Sequence, residues 1–166
     1  MEKYNIVEFK RVGFVSFIIG SLLKVFEHKW DGWGWHLAVA WERVFDGWIL
    51  LEAVAKGVSL NFHSDKELSA NTRSYHWFDK PLTFIDEDAV AFYYRHIEKK
   101  YDVAVYLWTA LQYFARHLLN HRVPRLLDDR FTCWELVSEF CDEMGKPVES
   151  KYDCPMLPDI LKQLQK

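Results

Sequence analysis

Two stretches rich in β-branched and aromatic residues, Gly34–Glu42 and Trp48–Ala55, flank Asp46-Gly47 and constrain the fold more than any other feature of the chain. That composition, broken by a turn signal, predicts an antiparallel hairpin. In the first stretch, alternation puts His36, Ala38 and Ala40 on one face and Trp35, Leu37, Val39 and Trp41 on the other. The second stretch carries a single carboxylate, Glu52, in an otherwise apolar run, and a buried Glu is costly unless it is paired. Two registers compete. A two-residue Asp46-Gly47 turn sets Phe45 opposite Trp48 and Glu52 opposite Trp41, with Glu52 and His36 on opposite faces. A five-residue loop, Arg43 to Gly47, sets Glu42 opposite Trp48 and Glu52 opposite Ala38. Glu52 and His36 are then diagonal neighbours, with Cβ atoms about 7–8 Å apart. Turn propensity favours the first register. The need to satisfy a buried carboxylate favours the second, which is the one expected here. The plainer alternative for Glu52 is a solvated place on an edge strand.

Around this hairpin, Val12–Ile18 reads as a buried strand, Ser21–Lys29 as a short amphipathic helix, and Val58–Phe62 as a further strand after Lys56-Gly57. Residues 63–80, with few aliphatics, read as a long surface loop. Helical spacing takes over from Asp86, with helices expected over Asp86–Lys100 and Val103–Asn120. A third is expected from Cys133 to Met144, stopped by Gly145 with Pro147 beyond. The tail, with Pro155 and Pro158, reads as extended or turn-like, with room for one helical turn. Strands grouped first and helices second predict an α+β fold, an antiparallel sheet packed against helices.

Length and composition bound the function. A chain of 166 residues suits one domain, 1–166, and 50% hydrophobic with 17% aromatic residues supplies a real core. A net charge of -3 gives no reason to expect nucleic acid as a partner. Three cysteines do not make a disulfide framework and suit a reducing compartment, so a cytoplasmic location is the default. The longest uncharged runs, Val12–Leu23 and Val103–Ala115, reach roughly a dozen residues where about 20 are needed to span a bilayer, so no transmembrane segment is expected. Lys10 and Arg11 precede the first run as in a signal peptide. However, Gly13 and Gly20 interrupt it, and Lys24, Glu27 and His28 follow in place of a cleavage site.

Of the residues able to carry chemistry, Cys133 has the most informative setting. Thr132 followed three residues later by Glu135 fits a capping box, which puts Cys133 at the first helical position. Backbone N–H groups and the positive end of the helix dipole favour negative charge there, and a sulfur so placed attacks a carbonyl when a base is nearby. The alternative is a small apolar residue at the start of a core helix. Cys141 and Cys154 have no comparable setting. Among seven histidines, His36 stands out because its same-face neighbours are alanines, leaving room for another element to approach the ring. His117 and His121 share a helix face, but no third ligand accompanies them and no metal is expected. Trp30, Trp33 and Trp35 would form an apolar wall beside His36 or complete a core. Lys99-Lys100 and the basic residues from Arg122 to Arg130 read as a solvated face. There is no Gly-rich phosphate loop and no Ser-centred nucleophile elbow.

Taken in order, Trp35-His36-Leu37-Ala38-Val39, Asp46-Gly47-Trp48-Ile49-Leu50-Leu51-Glu52-Ala53, Tyr101-Asp102 and Phe131-Thr132-Cys133-Trp134-Glu135-Leu136-Val137 resemble the permuted papain-like cysteine hydrolases, the YiiX/YebB-like branch of the NlpC/P60 superfamily. The resemblance runs from Gly13 to Pro158-Asp159. It implies an antiparallel sheet with helices in permuted papain-like order and a cysteine hydrolase of amidase or peptidase type working through an acyl-enzyme. Cys133 would be the nucleophile, His36 the general base and Glu52 the group orienting the imidazole, with Tyr101, Trp35 and Trp134 lining the substrate. No cofactor is implied. The substrate would be a peptide, an isopeptide or an amino-acid conjugate. A lipid-directed thioesterase or acyltransferase, or a binding module that keeps the fold without turnover, are the alternatives. Trp35 stands where the family has a small residue, Trp134 where it has serine and Phe14 where it has aspartate, which implies a more aromatic cleft.

Overall fold

In the computed structural model, residues 1–10, 34–78, 86–97, 99–101, 130–149 and 157–164 are described. The chain opens with strand β1 (Ile6–Lys10), followed by β2 (Gly34–Val44), β3 (Gly47–Val54) and β4 (Gly57–Ser64). Helix α1 (Asp65–Asn71), strand β5 (Thr72–Tyr75) and helix α2 (Asp86–His96) come next. The short strands β6 (Lys100–Tyr101) and β7 (Arg130–Phe131) precede α3 (Cys133–Glu143) and α4 (Leu157–Leu164). An antiparallel five-stranded sheet runs in the order β4-β3-β2-β1-β5, and β6 and β7 form a separate parallel pair. This is an α+β architecture.

The hairpin formed by β2 and β3 decides the position of Glu52. Glu52 pairs with Ala38, as the need to satisfy its carboxylate predicts. The route differs from the expected five-residue loop. Val44 pairs with Gly47 across a tight turn at Phe45-Asp46, and the pairing then slips between Ala40 and Glu42, leaving Trp41 as the extra residue. Glu42 consequently faces Ile49 rather than Trp48. A bulge changes the count on one strand by one, which moves every later side chain to the other face of the pairing.

Each face of the sheet has its own cover. Leu37, Val39, Leu51, Ala53 and Val58 share a cluster with Trp134, Leu136, Val137 and Phe140 of α3, Phe92 of α2, and Ile160 and Leu161 of α4. On the other face Val7, Ala38, Ala40, Trp48 and Leu50 pack with Leu68 of α1 and with Phe9. Burying large aliphatic and aromatic side chains on both faces is the main source of stability for such a layer, at about 1.5–3 kcal/mol for each fully buried one.

Several elements differ from the sequence expectation. The interior strand β1, between β2 and β5, was not anticipated, although Ile6-Val7-Glu8-Phe9 places apolar residues on both faces. Residues 63–80 are not one long loop. They contain α1, closed at its start by a capping box in which Ser64 Oγ accepts from Glu67 N while the Glu67 carboxylate accepts from Ser64 N, and then β5 on the sheet edge. Helix α2 ends at His96, short of Lys100, and the tail forms the two turns of α4 where one was expected. The expected strand Val12–Ile18 and helices Ser21–Lys29 and Val103–Asn120 lie outside the described residues, as do Trp30, Trp33, His117, His121 and Cys154. Among the described residues, no helix is long and apolar enough to cross a membrane.

Candidate active site

Helix α3 begins as its sequence predicts. Thr132 is the N-cap, its Oγ1 accepting from Glu135 N at 3.2 Å, and Glu135 Oε2 accepts from Thr132 N at 2.8 Å. Both residues are buried, so the two bonds fix the first turn and with it the direction of the Cys133 side chain. The helix stops at the expected place, where Gly145 takes φ +80° and its N–H bonds back to Asp142 O at 2.9 Å. Cys133 is fully buried.

The imidazole that meets this sulfur is His36. Its side chain is hydrogen-bonded to Cys133 on one side and to Glu52 on the other, with Nε2 3.0 Å from Glu52 Oε1. An ionised carboxylate only accepts, so Nε2 carries the proton in that bond and Nδ1 is the nitrogen left for the sulfur. The helix does not arrive over Ala38 and Ala40, the open side that their small size suggests. Leu68 of α1 occupies that face, and α3 packs on the opposite one. Ring and sulfur meet at the start of β2, where the pairing with β1 skips Trp35 (Phe9 pairs with His36, Lys10 with Gly34). Irregular pairing of this kind re-aims side chains at the end of a sheet.

Glu52 is the most heavily coordinated group. Oε1 accepts from His36, and Oε2 accepts from His63 Nε2 at 3.0 Å and from Asn61 Nδ2 at 3.0 Å. Burial by itself would push this carboxyl up. The bonds from His36 and His63 outweigh burial and bring it down to about 2, so Glu52 is a carboxylate at any ordinary pH. For His36, burial pushes the other way, towards the neutral ring. The Cys133 sulfur first, and then Glu52, reverse this and raise it to about 10. The ring is therefore held between two groups that both favour its protonated form.

The structure thus brings Cys133, His36 and Glu52 together. No protein-family model, no curated protein and no solved structure matches the chain. Trp134 is buried in the core cluster against the sheet, so its side chain packs the interior of the fold instead of facing open surface. Trp35 lies in β2 and Tyr101 in β6, where it pairs with Phe131 two residues before Cys133; only the backbone of these two is described. Cys141 is free and buried on the core side of α3, where burial pushes its thiol up.

Three participants were missed in the sequence. His63 and Asn61 bind the second Glu52 oxygen, and Phe9 packs against both imidazoles, with ring centroids 5.4 Å from His36 and 5.3 Å from His63. A signal existed for two of them. Val58-Ser59-Leu60-Asn61-Phe62-His63 alternates strictly, and Glu52 pairs with Ser59, so the polar positions Ser59, Asn61 and His63 share its face. Ending the strand at Phe62 left His63 in a loop.

Proposed function

We propose that this protein is a cysteine hydrolase of the permuted papain-like type, cleaving an amide or related acyl bond. The observation that carries the reading is the His36 ring, hydrogen-bonded to a cysteine at a capped helix start and to a buried carboxylate. The order of these three residues along the chain, and the resemblance of their flanking segments to that family, support it further.

In this reaction Nδ1 of His36 takes the Cys133 proton and the sulfur attacks the carbonyl carbon. The tetrahedral oxyanion is met by backbone N–H groups at the start of α3. The carbon–nitrogen bond then breaks, with His36 giving its proton to the departing amine, and a thioester to Cys133 remains. Water enters, His36 takes one of its protons, and the resulting hydroxide equivalent attacks the thioester carbon. Carboxylic acid leaves, and the sulfur recovers the proton from His36. Throughout, Glu52 holds the Nε2–H tautomer and steadies the positive ring, as the acid of a Ser or Cys triad does. This chemistry needs no cofactor. Peptides, isopeptides and amino-acid conjugates are the substrate classes it suits.

The test is covalent capture: the intact chain incubated with a panel of electrophilic substrate mimics and examined by mass spectrometry. An adduct on Cys133, lost in His36→Ala, is the expected result. Preference for acyl-chain over peptidyl probes would move the assignment to a lipid-directed thioesterase or acyltransferase. One observation favours a second reading. Cys133 is fully buried, as it would be in a binding module that keeps the fold without turnover, and failure of every probe to label it would select that reading.

A further inference from the structure

The two oxygens of Glu52 do different work. Oε1 is engaged by His36, while Oε2 receives His63 and Asn61 from the neighbouring strand β4. A carboxylate held by a single bond rotates about its last torsion, and a hydrogen bond on the second oxygen stops it. Asn61 is itself tethered, since its Nδ2 also donates to Ser59 Oγ at 3.0 Å. His63 is tied to the site a second time through Phe9, whose ring contacts both imidazoles. The side chain of Glu52 is only 4% exposed, so each donor on it acts in a poorly hydrated setting where such bonds are strong.

We propose that His63 is a positioning residue for this site: by donating Nε2–H to Oε2 it fixes the Glu52 carboxylate so that Oε1 stays on the His36 ring. The inference rests on the hydrolase reading for its purpose, but the contact it concerns can be measured without any substrate. His63 itself need not touch the sulfur or a bound molecule. It acts through Glu52. The side chain is 24% exposed against 10% for His36, so it is the more solvent-accessible of the two imidazoles on Glu52.

Ring-nitrogen NMR on the full chain tests this. The wild type should show a His36 Nε2–H proton shifted downfield by its carboxylate partner and slow to exchange with water. His63→Phe keeps an aromatic ring against Phe9 but has no N–H to give, and it should speed exchange of that proton by about tenfold or more, the size expected for one lost charge-assisted bond. His63→Gln, whose amide reaches the same oxygen, should bring the rate back to within about twofold of wild type. A role in packing alone predicts the reverse ranking, with Phe tolerated better than Gln. Should His63→Phe fail to fold, His63→Leu serves as the second donor-less variant with the same expected gain in exchange. Unchanged exchange in the donor-less variants, or no protected Nε2–H in the wild type, overturns the proposal. A separate arm follows alkylation of Cys133 by iodoacetamide in wild type and His36→Ala. An equal rate in both would end the hydrolase reading, whatever the ring proton shows. A slowed rate in His36→Ala with an indifferent ring proton would end only the role given to His63.

Discussion

Glu52 Oε1 lies 3.0 Å from His36 Nε2 because Trp41 is an extra residue in β2. Without that bulge the tight turn at Phe45-Asp46 would set Glu52 opposite a residue of the other face, and ring and carboxylate would be separated by the thickness of the sheet.

Glu52→Gln should be costly. The amide presents N–H groups where the native oxygens accept from two imidazoles and from Asn61, so buried donors lose their acceptor and His36 its counter-charge. Breaking one side of a buried ion pair costs about 3–5 kcal/mol. Urea denaturation followed by circular dichroism gives the number directly, and a loss below about 1 kcal/mol would contradict the bonding described for Oε2.

Stability should fall at both ends of the pH scale. The Glu52 carboxyl drops from 4.5 to about 2 on folding, so its contribution is present above 4.5 and disappears as pH falls through 2. His36 rises from 6.5 to about 10, so its contribution is complete below 6.5 and disappears as pH climbs through 10. A plateau between these limits is expected in unfolding free energy measured against pH. The acid limb should flatten in Glu52→Gln. The alkaline limb should shrink in Cys133→Ala, because the sulfur is the leading influence that raises His36.

Thr132→Ala removes the N-cap of α3 and leaves the Glu135 amide without its acceptor inside the fold. A loss of about 1–2 kcal/mol is expected, with Thr132→Ser much closer to wild type because it keeps the oxygen. Thermal melts of the three proteins, run side by side, decide this. Equal melting temperatures for Ala and Ser would mean that the hydroxyl does not cap the helix.

Phe45→Asn should stabilise the protein. Phe45 sits at the hairpin tip with φ +42° and a side chain 96% exposed, so a bulky residue occupies a left-handed conformation and gains no burial. Asn adopts that conformation more readily, and about 0.5–1 kcal/mol is the expected gain in denaturant unfolding.

How much of this was legible in the sequence depends on the range of the interaction concerned. Local signals read well: the Thr132–Glu135 box placed the start of α3, Gly145 placed its end, and the demand of Glu52 for a partner selected Ala38 as its neighbour. The bulge at Trp41 was not legible, because a one-residue insertion leaves no mark on composition and is chosen by the packing on both faces. A two-residue turn at Asp46-Gly47 conflicts with the partner Glu52 needs, which points to a five-residue loop; the chain instead keeps a tight turn one residue earlier, at Phe45-Asp46, and the bulge restores the pairing of Glu52 with Ala38. Helix α1 carries a local signal, since Ser64-Asp65-Lys66-Glu67 has the same capping signature as Thr132 to Glu135, but the seven-residue helix buries only Leu68 and shows no apolar period. Strand β1 is too short to show a period, and its place between β2 and β5 is a tertiary fact. His63 escapes a sequence reading that ends its strand at Phe62, one residue short, because that takes it out of the alternation that places it on the Glu52 face.

Sulfur and ring also belong to different layers. Cys133 rides on α3, which is seated on one side of the sheet, whereas the links among His36, Glu52, Asn61 and His63 are internal to the sheet itself. A small rocking of that helix would therefore uncouple the thiol from the imidazole and leave the rest of the polar network standing. The closeness of sulfur and ring in this architecture depends on how firmly one helix is docked, and a mutation at Phe140, two turns along α3 from Cys133, is able to alter it without touching a single polar group of the site.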